Sequence, residues 1–167
     1  SSRGPEEHHG DSGEIDDLVE AVARDLGHGR RAALGFECPL FVPVPHDPIR
    51  LGRARLGEGD RPWSAGAGSG AMATGLVQVA WVLSKLRERC PTERVFLDWA
   101  SFQAADVGLF LWEAFVSAKA KGTSHVGDAA IAVECFADAL PDPTTSNAVA
   151  ADSPLSLVGA AVLWSGW

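Results

Sequence analysis

The stretch Ala32–Pro45, AALGFECPLFVPVP, decides how the rest of the chain is read: it is apolar on adjacent as well as alternate positions, yet it carries a carboxylate, Glu37. Continuous apolar runs of this kind fit a strand covered on both sides, the pattern of a parallel sheet between helices rather than of a half-wet antiparallel one. Pro39 cannot donate to a ladder, so regular pairing is expected to end near Cys38 and to leave Glu37 at the carboxyl edge of the sheet. Open α/β sheets bind ligands at that edge. The competing reading of Glu37 is structural, a carboxylate that meets a backbone donor or an arginine at a strand end.

Upstream, Asp11 and Glu14 have the spacing of a capping box, and Ile15, Leu18, Val19, Val22 and Leu26 follow at helical spacing to a stop at Gly27 or Gly29. A helix therefore leads directly into the strand. Residues 1–10 are polar and are expected to form a flexible tail, which leaves 11–167 as a single α/β domain. Downstream, residues 46–70, HDPIRLGRARLGEGDRPWSAGAGSG, hold no sustained periodicity and predict a long loop leaving the strand's carboxyl end, either functional or mobile. Arg53, Arg55 and Arg61, with Ser64, Gly66 and Gly68 just before the next helix, make a candidate anion-binding loop, because backbone N–H groups at a helix start attract anions. No Gly-Lys-Ser/Thr follows, so the loop is not of the Walker type, and a solvated loop is the competing reading.

A helix is predicted over 71–89, with Leu76, Val79, Ala80, Leu83 and Leu86 on one face and Pro91 ending it. RVFLDWASF reads as a short strand or a helical turn. VGLFLWEAFVSA is the better strand, apolar on both faces over Leu109–Val116 except for Glu113. A further helix over Asp128–Leu140 carries the stripe Ile131, Ala132, Cys135, Phe136 and Ala139; Asp128 shares that face and Glu134 turns away from it. Ser153 and Pro154 give the cap and first-turn signal for a last apolar helix.

Length and composition fit one globular domain, with 46% hydrophobic and 22% charged residues. No eighteen consecutive apolar residues occur and the N-terminus is polar, so a soluble, cytoplasmic protein with no membrane association is expected. Cys38, Cys90 and Cys135 are too few and too far apart for a disulfide framework or a paired-cysteine zinc site and are expected as small buried hydrophobes. A net charge of −8 argues against broad attraction to nucleic acid, although a local site can override it.

Glu37, Glu113 and Asp128 thus occupy comparable places: the end of one buried strand, the inside of another, and the inner face of a helix start. Buried carboxylates are costly unless paired or bound to metal, and a converging set is best relieved by a hard divalent cation, Mg²⁺ or Mn²⁺. Such ions act on phosphate esters by clamping the attacking and leaving oxygens. His125 would assist proton transfer, and Lys119 or Lys121 would contact a phosphate; a capping histidine is the competing reading of His125.

The order of a helix, the GFECPLFVP strand, a glycine loop, a long helix, the WEAFV strand and the HVGDAAIAVECF helix resembles an uncharacterised bacterial family of predicted nucleases with a ribonuclease H-like fold. The resemblance spans roughly residues 30–140 and rests on short motifs. It implies that Glu37, Glu113 and Asp128 are metal-binding acids of a metal-dependent nuclease or phosphodiesterase acting on nucleic acid or a phosphate ester. The chain departs from the family pattern at its start, where a three-stranded meander bearing an essential aspartate should precede the first helix. The expected fold is therefore a small, mainly parallel or mixed sheet flanked by helices, a ribonuclease H-like core shortened at its N-terminus. An open edge beside the Ala32 strand would then be covered by a second copy in a homodimer. The alternatives are a non-catalytic interaction module, pairing through that edge, and a phosphate-ligand-binding protein using the AGAGSG loop.

Overall fold

The stripe beginning at Ile15 forms α1, Ile15–Gly27, whose Val19 and Leu26 are buried while Leu18 and Val22 pack at the margin of the core. Ile15 itself is exposed, a correction to the predicted stripe. The chain then enters β1, Arg31–Phe36, and after a tight turn at Glu37, where the Cys38 amide donates to the Phe36 carbonyl, β2, Phe41–Pro43. α2 covers Gly66–Arg89, so the glycine run predicted as loop is its first turn. The ambiguous RVFLDWASF divides into both of its readings, β3 at Val95–Phe96 and α3 at Trp99–Gln103, with the Asp98 carboxylate capping α3 through the Ser101 amide. β4, Gly108–Glu113, is followed by α4, His125–Asp138, β5, Pro154–Ser156, and α5, Leu157–Trp164. This computed structural model describes residues 15–59, 62–114, 124–151 and 153–167, without the side chain of His125.

The protein is mixed α/β, with a small, mostly parallel sheet flanked by helices. β4 is central: β1 pairs with it in parallel from Arg31↔Gly108 to Phe36↔Glu113, and β3 pairs on its other side through Val95↔Leu109 and Phe96↔Phe110. β2 and β5 form a separate antiparallel pair. Leu34, Leu109 and Leu111 point to a core shared with Val19 of α1, with Val79, Leu83 and Leu86 of α2, and with Val158 and Ala161 of α5. Alternation sends Phe110 and Trp112 to the opposite face, where they meet Trp99 and Phe102 of α3 and Phe136 of α4. Gly35 lies under Trp112: a Cβ there would stand 2.6 Å from the indole, so only glycine lets the ring lie over β1.

α2 is long and apolar enough to cross a membrane by length and composition alone, but its Val79, Val82, Leu83 and Leu86 are packed into the core. Three further expectations need correction. Ser153 and Pro154 do not start the last helix; Pro154 pairs with Pro43 in the small sheet, and the Ser156 hydroxyl caps α5 by accepting from the Gly159 amide. Cys38 and Cys90 are buried as expected, but Cys135 is exposed on α4. β1 is not apolar-covered throughout, since Ala33 faces solvent, and the part of the predicted second strand beyond Ala114 lies outside the described residues.

Candidate functional site: the carboxyl end of the central strand

β4 ends where the sequence placed a carboxylate, and the structure surrounds it. Glu113 Oε2 accepts from the Leu40 amide at 2.8 Å, from the Phe41 amide at 3.2 Å and from Arg55 Nη1 at 2.9 Å, and Nη1 also stands 2.8 Å from Oε1. Those amides are available because Pro39 breaks the strand and sends the chain across the end of β4. The same Nη1 donates to the Phe41 carbonyl at 2.9 Å, while Arg55 Nη2 and Nε donate to Glu58 Oε1 at 2.9 and 3.2 Å. Glu58 is fully buried; its two oxygens also accept the amides of Arg55 (2.9 Å) and Trp63 (2.8 Å).

One guanidinium is thus shared by two carboxylates. Burial pushes the Glu113 carboxyl above the usual carboxylate range, and the Arg55 guanidinium and the Leu40 and Phe41 amides offset that only in part. The neighbouring Cys38 thiol is pushed up to about 12, first by burial and then by the charges of Glu113 and Glu37. Both acids therefore lie within electrostatic reach of one sulfur.

Of the three predicted metal-binding acids, Glu37 and Glu113 share the neighbourhood of Cys38, and Asp128 stands on another element. Glu37 follows β1, half-buried. Glu113 leaves β4 on the face of Leu109 and Leu111 and is committed to Arg55 and backbone. Asp128, 3% exposed, belongs to α4, whose Ala132 packs with Ala114 and Trp112 on the other face. Among the described residues no group of three His, Cys, Asp or Glu side chains is placed to hold a metal ion. His125 opens α4, one residue after the Ser124 cap; its side chain, with Lys119 and Lys121, lies outside the described residues.

The predicted anion loop is likewise divided. Arg55 is buried in the carboxylate pair and Arg53 is exposed, lining with Arg50 a shallow recess of about 140 Å³. The Ser64 hydroxyl donates to the Gly52 carbonyl. Gly66 opens α2, and Gly68 is a packing glycine, since a Cβ there would come within 2.6 Å of the Pro62 carbonyl oxygen. Arg61 lies outside the described residues.

Sequence reasoning did not find the cavity beside β4. It has a volume of about 540 Å³ and is walled by Trp99, Phe110, Trp112 and Phe136, by Phe41, Arg55 and Glu113, and by the 143–149 segment. Trp112 and Phe136 stack at 4.6 Å, and Trp99 meets Phe136 edge-on at 5.7 Å. Cys135 reaches the same cavity from α4, which explains its exposure. The available signal was the aromatic count on one face, Trp99, Phe110, Trp112 and Phe136, in excess of what two short helices need to cover a three-stranded sheet. No family model, no curated protein and no solved structure matches the chain.

Proposed function

We propose that the chain is a ligand-binding α/β domain whose working site is the aromatic cavity at the carboxyl end of β4. The observation that carries this reading is the cavity itself: its volume of about 540 Å³ is in the range of small-ligand sites, with aromatic walls and a few fixed polar groups at one end. Arg55 and Glu113 hold that polar end rigid. Titration with indole as a fragment probe, followed by NMR, tests the reading. Indole should shift Trp112 and Phe136 resonances, and Cys135→Trp, which places bulk at the cavity from an exposed helix position, should abolish the shifts while leaving the melting temperature within a few degrees. Shifts scattered over the surface, or unchanged by the plug, refute it.

A second reading, metal-dependent phosphodiester cleavage on a ribonuclease H-like core, is favoured by a different observation: Glu37 and Glu113 flank Cys38 while buried Asp128 heads the helix packed on Ala114. In this reading Glu37, Glu113 and Asp128, with His125 as proton carrier, would act toward Mg²⁺ or Mn²⁺, which would supply charge stabilisation at the phosphate, and Glu113 would have to exchange its contact with Arg55 for the ion. Mn²⁺ should then raise the melting temperature of the wild type and not that of Asp128→Asn. Equal shifts in both remove Asp128 from the site.

A further inference from the structure

The ladder around β4 is incomplete on one side. The Leu109 amide donates to the Arg94 carbonyl on the β3 side at 2.9 Å, and the Ala114 amide donates to the Phe36 carbonyl on the β1 side at 2.9 Å. In a parallel sheet alternate residues address alternate neighbours, so Leu111 and Glu113 turn their main-chain groups toward the β3 side. β3 stops at Phe96, level with Phe110. Beyond it, the Leu111 carbonyl and the Glu113 N–H and C=O have no strand partner among the described residues. The cavity lies along this bare length of β4, since its lining runs from Phe110 through Ala114.

Resting on the cavity as the working site, we propose that its ligand is an extended peptide that adds to β4 as a strand, in the lane β3 vacates after Phe96. An extended main chain offers donors and acceptors at ladder spacing, about 4.8 Å from its neighbour, which a compact small molecule does not. The walls fit the alternation of such a strand. Side chains on one face meet the aromatic group of Trp99, Phe110 and Phe136, and those on the other meet Phe41 beside Arg55. Charge narrows the choice further. Among the described residues, Asp98 and Glu113 line the cavity with one cation, Arg55, which is already committed to Glu58 and Glu113, so a basic flank on the peptide is complementary to this lining and an acidic one is not. The ligand class is therefore a short extended segment with a bulky apolar residue between basic ones.

The test uses a pool of blocked pentapeptides with lysine at both ends, phenylalanine in the centre, and valine, threonine, leucine or alanine between. Amide exchange of the protein is followed by NMR. The Glu113 amide should exchange freely in the unliganded protein and at least tenfold more slowly with the pool. Two analogues of the best peptide, N-methylated at the centre or at a neighbouring residue, should differ by at least tenfold in affinity, because only alternate amides face β4. A Glu113 amide already protected in the free protein, no protection by the pool, or equal affinities for the two analogues overturns strand addition. If indole still shifts Trp112 and Phe136 in that case, the cavity remains a ligand site of another kind. If indole and peptide both leave those residues unmoved, the cavity reading falls with it.

Discussion

Replacing Arg55 by methionine should cost far more stability than a loop substitution, because it leaves Glu58 and Glu113 buried without their shared cation. The Arg55 side chain is 2% exposed, against 0% for Glu58 and 9% for Glu113, so solvent screens the pair little. Removing one partner of a buried, hydrogen-bonded ion pair costs about 3–5 kcal/mol. For a domain of this size each kcal/mol moves the melting temperature by about 2–4 °C, so a drop of roughly 6–20 °C is expected at about pH 7. The pH dependence separates lost charge from lost packing. Burial already holds the Glu113 carboxyl above its unfolded value, and without the guanidinium it titrates higher still. An acid raised in the folded state contributes stability that is fully present below its unfolded pKa and is lost as pH rises through the folded one. The deficit of the variant should therefore shrink on moving from about pH 7 to about pH 5, and Arg55→Met with Glu113→Gln should recover at least about 1 kcal/mol relative to additivity. Calorimetric melts at both pH values read this directly. A drop below about 3 °C, or a loss of equal size at both pH values, would show that the pair does not brace the end of β4.

Gly35→Ala should destabilise by about 1–3 kcal/mol and shift the Trp112 indole resonance, since the new methyl meets the ring; an unmoved indole would remove the close packing from the account. With a thiol-specific disulfide reagent at neutral pH, Cys135 should react in the native state and Cys38, with its pKa near 12, only on unfolding. Fast labelling of Cys38 would contradict its burial. Two copies should pair through the outer edge of β1, where the main-chain groups of Ala33 and Gly35 face away from β4; Ala33→Pro deletes an outward donor and should shift light-scattering mass toward monomer, whereas a monomeric wild type at high concentration refutes the pairing.

β1 and β4 were legible as strands because of their apolar runs and the proline or acid that marks each end, although only β4 is buried along most of its length while Ala33 leaves one face of β1 open. α4 was legible in extent, but its stripe was drawn too wide: Cys135 falls at a helical spacing that implies burial, and only the cavity beside β4 keeps it open. The buried pairing of Arg55 with Glu58 and Glu113 was the clearest omission, since Arg55 reads in sequence as part of an anion-binding loop. Charged residues in a glycine-rich stretch without periodicity read as solvated, and nothing local announces that the 46–59 segment crosses the end of the sheet. The role the sequence suggested for Glu37, a strand-end acid that meets backbone donors and an arginine, is filled by Glu113. That depends on the turn at Glu37 and Cys38, which directs the Leu40 and Phe41 amides to the end of β4, and on no pattern in either strand. Ser153 and Pro154 misled because a serine before a proline has the same form whether a helix or a short edge strand follows.

The parallel pairing of β1 with β4 also sets an order of events for folding. Leu40 and the Glu113 carboxylate are 73 positions apart, and β1 finds β4 only after α2, β3 and α3 have been made. Such non-local contacts slow folding, because loop closure precedes any reward. At a synthesis rate of about 5–20 residues per second, a nascent chain holds β1 for several seconds with only α1 and the growing α2 to cover Leu34 and Phe36. During that interval both edges of β1 are bare. The choice between the chain's own β4 and the β1 of a neighbour opens before Arg55 can close on Glu113, so the yield of native protein should fall as nascent chains are crowded.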